Sequence, residues 1–77
     1  MNIQYIGLKK IDGPLIVLDH VKDIGFEEVA ELRLSYVTER LGRVVQIYGD
    51  KAVLQVFEGT KGLSLTNTKT RFTGRPM

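Results

Sequence analysis

Apolar and polar positions alternate along most of the chain, and the period predicts strands. Ile3, Tyr5 and Gly7 alternate with Gln4, Ile6 and Leu8, a β-branched and aromatic run that predicts a first strand. Asp12-Gly13-Pro14 ends it, because glycine accepts positive φ and proline fixes its own φ for a turn. Leu15-Ile16-Val17-Leu18 is continuously apolar and bounded by turn residues, as in a strand buried on both faces or at a barrel seam. Asp19 to Gly25 reads as a loop. Phe26 to Leu34 fits two periods. Glu-Glu-Val-Ala-Glu-Leu favours helix by propensity, but Ala30, Leu32 and Leu34 alternate with Glu31, Arg33 and Ser35. The run is short for a helix, so Val29 to Leu34 is assigned as strand. Leu41, Arg43, Val45 and Ile47 alternate with Arg40, Gly42, Val44 and Gln46, and Gly42 inside this strand predicts a bulge or sharp bend.

Tyr48-Gly49-Asp50-Lys51 predicts a tight hairpin turn, with Ala52 to Phe57 as the returning strand. Ala52, Leu54 and Val56 share one face, and Val53, Gln55 and Phe57 the other. Leu54 and Phe57 are both expected in the core. Glycines punctuate a corner at Glu58-Gly59-Thr60-Lys61-Gly62, and Thr68 to Thr73 supplies a further strand, with Thr70 and Phe72 opposite Lys69 and Arg71. Short strands with turn punctuation predict an all-β fold, a small closed six-stranded antiparallel barrel of Greek-key type. Closure suits this length because it removes exposed edges.

Composition narrows the class. A chain of 77 residues makes one small domain, which buries only roughly 60% of its unfolded surface. Without cysteine it has no disulfide staple and no Cys-based zinc site, so packing or assembly must hold it. No apolar run approaches the roughly 20 residues of a membrane span, and the N-terminus lacks a signal-peptide pattern, so a cytoplasmic location is expected. Net charge is +2, and the 11 basic residues are scattered between apolar ones rather than clustered with stacking aromatics. They read as a solvated outer face.

No catalytic set is visible. His20, the single histidine, sits beside Asp19 and near Asp23, but no neighbouring nucleophile or ligand set completes a site, and a surface loop is expected. Adjacent Glu27 and Glu28 would point to opposite faces of a strand and read as a solvated strand entry. Gly59-Thr60-Lys61-Gly62 lacks the lysine and following helix of a phosphate loop, so its glycines are assigned to backbone geometry. No cofactor or metal is expected. An oligonucleotide-binding barrel, stacking bases on Tyr5, Tyr36 or Tyr48, is the rival binding module. The three phenylalanines lie in apolar patterns that core packing explains.

Three segments, IGLKKIDGPLIVLDHV (6–21), VFEGTKGLSL (56–65) and RFTGRPM (71–77), closely resemble one family. It is the N-terminal β-barrel domain of the B subunit of V/A-type (archaeal and vacuolar) rotary ATPases, and GRVVQIYGDKAVLQ follows the same pattern. The resemblance covers essentially the whole chain. It implies a crown barrel, spanning residues 1–77, in a ring of alternating A and B subunits. Its partners would be neighbouring A-type subunits and the peripheral stalk, with no nucleic acid and no direct membrane contact. The nucleotide-binding and C-terminal domains of the B subunit would follow TGRPM, so the chain is expected to be an excised or engineered fragment without ATPase activity of its own. For the isolated domain the sequence leaves two alternatives open, a monomer or self-association through exposed lateral contacts. Ser35-Tyr36-Val37-Thr38 departs from the Asp-Gly or Asn-Gly turn usual in the family, which fits a redesigned barrel as a further alternative. The candidate interface residues are Glu58, Thr60, Lys61, Leu63 and Leu65 in the corner, with Tyr36 and Val37 in the altered connection.

Overall fold

Alternation sets the architecture. The computed structural model describes residues 3–35 and 38–76. Among the described residues seven strands form one antiparallel sheet: β1 (Gln4–Ile6), β2 (Lys10–Asp12), β3 (Leu15–Leu18), β4 (Glu28–Arg33), β5 (Glu39–Tyr48), β6 (Lys51–Val56) and β7 (Lys69–Pro76). Their order across the sheet is β1-β7-β4-β5-β6-β3-β2. The edge strands β1 and β2 are therefore consecutive in the chain, and the sheet curls so that one short link joins its two margins.

This corrects the expectation of a closed six-stranded ladder. The run predicted as one strand is split at Gly7, whose φ of +88° turns the backbone off one neighbour and onto another. Before the kink, Gln4–Ile6 pair with Arg71, Thr70 and Lys69 of β7. After it, Lys10–Asp12 pair with Val17, Ile16 and Leu15 of β3. Between the two ladders the backbone would be orphaned. The Gly7 amide donates to the Thr68 carbonyl at 2.8 Å, and the Leu8 amide to the Leu65 carbonyl at 2.7 Å. The segment between β6 and β7 thus completes the seam.

Inward-facing residues follow the alternation. Ile16, Ala30, Leu32, Val44, Ala52 and Leu54 are fully buried, and Leu18 and Val56 nearly so. Tyr5, Ile11, Ile24, Leu63 and Phe72 pack around this cluster. Val29–Leu34 is strand, as assigned, with bounds Glu28–Arg33. The β5–β6 hairpin turns through Gly49 and Asp50, as expected from its sequence. No bulge falls at Gly42, however. Gly42 stays in register with Ala30 and Val56, and the ladder slips further on, between Val44 and Gln46. Gly42 is needed for closeness instead: a Cβ there would lie 2.9 Å from the Gln55 carbonyl oxygen and 3.4 Å from Leu32.

Thr70 is fully buried on the inner face of β7, and its hydroxyl has no hydrogen-bond partner. An unsatisfied buried hydroxyl costs about 1–3 kcal/mol of desolvation. Thr70→Val keeps the branched shape and removes that polar atom, so it should raise stability by about 1 kcal/mol, or Tm by roughly 4–8 °C. Gly7→Ala should do the reverse. Its Cβ would lie 3.1 Å from the Leu65 carbonyl oxygen in a left-handed backbone. We expect a loss of about 1–3 kcal/mol, and a smaller one for Gly13→Ala, where a Cβ meets nothing within 4 Å. Thermal denaturation of the three variants checks both signs.

Candidate functional site: the outer face and the corner

The stretch from Phe57 to Thr68 contains no strand, and its backbone is tied down at both ends and in the middle. The Gly59 amide donates to the Val56 carbonyl and the Leu63 amide to the Thr60 carbonyl, each at 3.0 Å. Gly59 and Gly62 take φ of +83° and +88°, which glycine adopts without a Cβ clash. Arg40 Nη1 donates to the Gly59 carbonyl at 3.2 Å, and the Thr60 hydroxyl donates to the Gly13 carbonyl. The Ser64 hydroxyl accepts the Thr66 and Asn67 amides, while the Ser64 amide donates to the Thr68 hydroxyl at 2.9 Å. The glycines of this corner therefore serve backbone geometry, and the Gly59 and Leu63 amides are spent inside it.

The candidate interface residues divide by position. Glu58 and Lys61 are exposed, and Leu65 is 51% exposed with its carbonyl used at the seam. Thr60 and Leu63 are half-buried, Thr60 bridging to the β2–β3 turn and Leu63 packing on the core. Tyr36 and Val37 lie outside the described residues.

Phe57 is not in the core. Its amide donates to the Leu41 carbonyl at 3.0 Å, extending the β5–β6 ladder by one step. Directly opposite residues of a ladder share a face. Because Gly42 and Val56 face inward, Leu41 and Phe57 face out, side by side, at 45% and 42% exposure. Alternation places Phe57 on the face of β6 opposite Leu54, and that face is only partly covered, since Val53 is buried while Phe57 stands out. Phe26, 64% exposed, is likewise outside the core, whereas Phe72 meets Tyr5 edge-on at 5.7 Å.

Three arginines of the outer face are paired with carboxylates. Arg33 meets Glu39 at 2.7 Å, Arg43 meets Glu27 at 3.8 Å, and Arg71 contacts Glu31. The Glu39 hydrogen bond, with its charge, raises the Arg33 pKa further above its ordinary value. Tyr5 is packed against Phe72, and its hydroxyl accepts the Lys22 amide at 3.1 Å. Of the described tyrosines named for base stacking, Tyr48 alone is exposed. His20 lies on the surface with its side chain 83% exposed, 3.1 Å from Asp50 and 3.7 Å from Asp19. Desolvation pushes the Asp50 carboxyl up, but Lys51, His20 and a backbone hydrogen bond outweigh it and hold the group below its usual range. That contribution is present above the ordinary carboxylate pKa and is lost as pH falls through the depressed one. Among the described residues, no group of three or more acidic, histidine or cysteine side chains is placed to hold a metal.

Glu28 escaped the sequence reading. It was expected as half of a solvated acidic pair, yet it is 8% exposed, and its carboxylate accepts the Gly25 and Gly74 amides. Glu27 keeps the expected exposure. A lone glutamate opening a strand carries no mark of this, because both donors are backbone groups.

Fold and surface together define a small curled antiparallel barrel with a stitched corner and an outward apolar pair. The ATP synthase alpha/beta family, beta-barrel domain, matches residues 8–74, and the chain belongs to that family. It is 46% identical over 77 residues to the V-type ATP synthase beta chain 2 of Clostridium tetani, covering 100% of this chain and 17% of that protein. It is 43% identical over 76 residues to the B subunit of the A-type ATP synthase of Cenarchaeum symbiosum, covering 99% of this chain and 16% of that protein. The V-type ATP synthase beta chain of Halothermothrix orenii is 45% identical over 74 residues, covering 96% of this chain and 16% of that protein. The chain thus spans about a sixth of the length of these relatives. The resemblance to the N-terminal barrel of the B subunit, read first from three sequence blocks, holds over the whole chain.

Exposure sets the expected cost of truncation on this face. Phe57→Ala should cost less than about 1 kcal/mol, in the range of surface substitutions. Leu54→Ala, at a fully buried position, should cost about 2–5 kcal/mol. Urea denaturation of the two variants measures the contrast, and equal losses would place Phe57 inside.

Proposed function

We propose that this barrel is an assembly module of a V/A-type rotary ATP synthase, acting through its outer surface and without chemistry of its own. The similarity to B subunits over the whole chain carries the reading. In that role the barrel sits in the crown of a ring of alternating A and B subunits, on the cytoplasmic side, holding its neighbours and offering a contact to the peripheral stalk. Residues 1–77 form the barrel alone, and nucleotide binding belongs to parts of the B subunit outside it. The surface supports this use. Leu41 and Phe57 give an apolar anchor, with Glu58 next to it in the chain, and Lys61 and Leu65 are exposed further along the corner. Interfaces combine an apolar centre, in which phenylalanine is enriched, with a polar rim. Tyr36 and Val37 are assigned to the same contact from sequence alone.

The oligonucleotide-binding alternative is disfavoured by the packing of Tyr5 and by the pairing of Arg33, Arg43 and Arg71 with carboxylates. Sedimentation of the chain with a cognate A-type subunit tests the assembly reading. Wild-type chain should co-sediment, and a Leu41→Ser, Phe57→Ser double variant should lose about tenfold or more in affinity with its fold intact. Unchanged affinity in the double variant would remove this pair from the interface. Absence of wild-type association, or salt-sensitive saturable binding to single-stranded DNA, would contradict the reading itself.

A further inference from the structure

The β4–β7 ladder breaks its register where Glu28 lies. Ala30 pairs with Phe72 and Glu28 with Pro76, so two steps along β4 are matched by four along β7. The surplus at Thr73–Arg75 bulges, with Gly74 at φ +78°. A bulge of this kind leaves backbone groups without ladder partners. Two side chains take their place. Glu28 Oε2 accepts the Gly74 amide at 2.7 Å. The Thr73 hydroxyl donates to the Val29 carbonyl at 2.8 Å and accepts the Arg75 amide at 3.3 Å.

The other carboxylate oxygen binds elsewhere. Glu28 Oε1 accepts the Gly25 amide at 2.8 Å, while the Glu28 amide donates to the Gly25 carbonyl at 3.2 Å. That turn is itself fixed to the barrel, since the neighbouring Glu27 amide donates to the Val44 carbonyl at 2.8 Å. One carboxylate therefore bridges a turn and a strand end, with Gly74 lying 46 residues beyond Glu28 in the chain. Among the described residues Glu28 has no cationic partner, so amides alone compensate its burial. A buried carboxylate is costly, and an apolar side chain would pack the same space at lower cost. Packing does not account for its identity, whereas charge-assisted bonds to two amides do.

We propose that Glu28 is a latch: its carboxylate ties Gly74 to the Gly25–Glu28 turn and so fixes the direction in which Thr73–Pro76 leaves the barrel. The latch is a property of this chain alone and does not depend on the assembly reading. Combined with that reading, it sets the angle between the barrel and whatever domain follows it.

Residue-resolved amide hydrogen exchange on the 77-residue chain tests it, using wild type, Glu28→Gln and Gly74→Ala. Glu28→Gln keeps the shape but replaces one acceptor by a donor. The amides of Gly25, Gly74 and Arg75 should exchange about tenfold faster, with Leu32 and Leu54 much less affected. A Cβ at Gly74 meets nothing within 4 Å, so Gly74→Ala strains the latch from the exposed side without disturbing the core. It should speed exchange at positions 74 and 75 while Gly25 keeps its protection. Equal acceleration of Leu32, Leu54 and Gly74 in Glu28→Gln would mean that Glu28 serves general stability, and no change at Gly74 would mean that the bond is idle. Either result overturns the latch. Should Glu28→Gln fail to fold, Gly74→Ala and wild type decide. In wild type the Gly74 amide nitrogen should show a through-hydrogen-bond coupling to the Glu28 side-chain carboxyl carbon, and its absence overturns the proposal.

Discussion

The positive-φ turn at Gly7 governs the geometry of this barrel. An antiparallel sheet of this size has two edges, and exposed edges invite pairing with other chains. Here both edges belong to one short run of chain. Gly7 directs the backbone from β7 to β3, and the amides stranded by the turn are satisfied by the Thr68 and Leu65 carbonyls. The corner from Phe57 to Thr68 must therefore hold a defined path, which explains its density of side-chain ties through Arg40, Thr60, Ser64 and Thr68. Seam and corner depend on each other. In a chain without disulfides, that mutual dependence replaces a covalent staple.

Most of the fold was legible because its information is periodic. Alternation located the interior residues of β4 and the inner face of β6, Gly49-Asp50 marked the β5–β6 turn, and β3, read as apolar on both faces, buries Ile16 and Leu18 while Leu15 and Val17 stay half-buried. The features that sequence misplaced are those set by contacts between distant segments. Nothing local tells that Gly7 splits a strand, since the reason is the Leu65 carbonyl beside it. Nothing local shows that Gly42 is required by the Gln55 backbone rather than by a bulge. Phe57 reads as core by hydrophobicity, and only the ladder position opposite Leu41 turns it outward.

Within the candidate region, which residues face solvent was not legible in the sequence. The members of the corner play unequal parts, with Leu63 packing inward and Glu58 and Lys61 facing solvent. Leu41 and Glu28 were overlooked for opposite reasons. Leu41 looked like one of several alternating strand residues, and Glu28 looked like a solvated charge. The two describe different faces of the molecule: an apolar pair available to a neighbour, and a buried carboxylate that orients the chain's exit.

A kinked strand that closes the barrel must belong to its cooperative structure and not fray as a margin. Amide hydrogen exchange at Gly7 and Leu8 measures this directly. If the seam is closed, these two amides exchange only through global unfolding, at the free energy measured for Leu54. Exchange orders of magnitude faster, at the rate of an open edge strand, would contradict it.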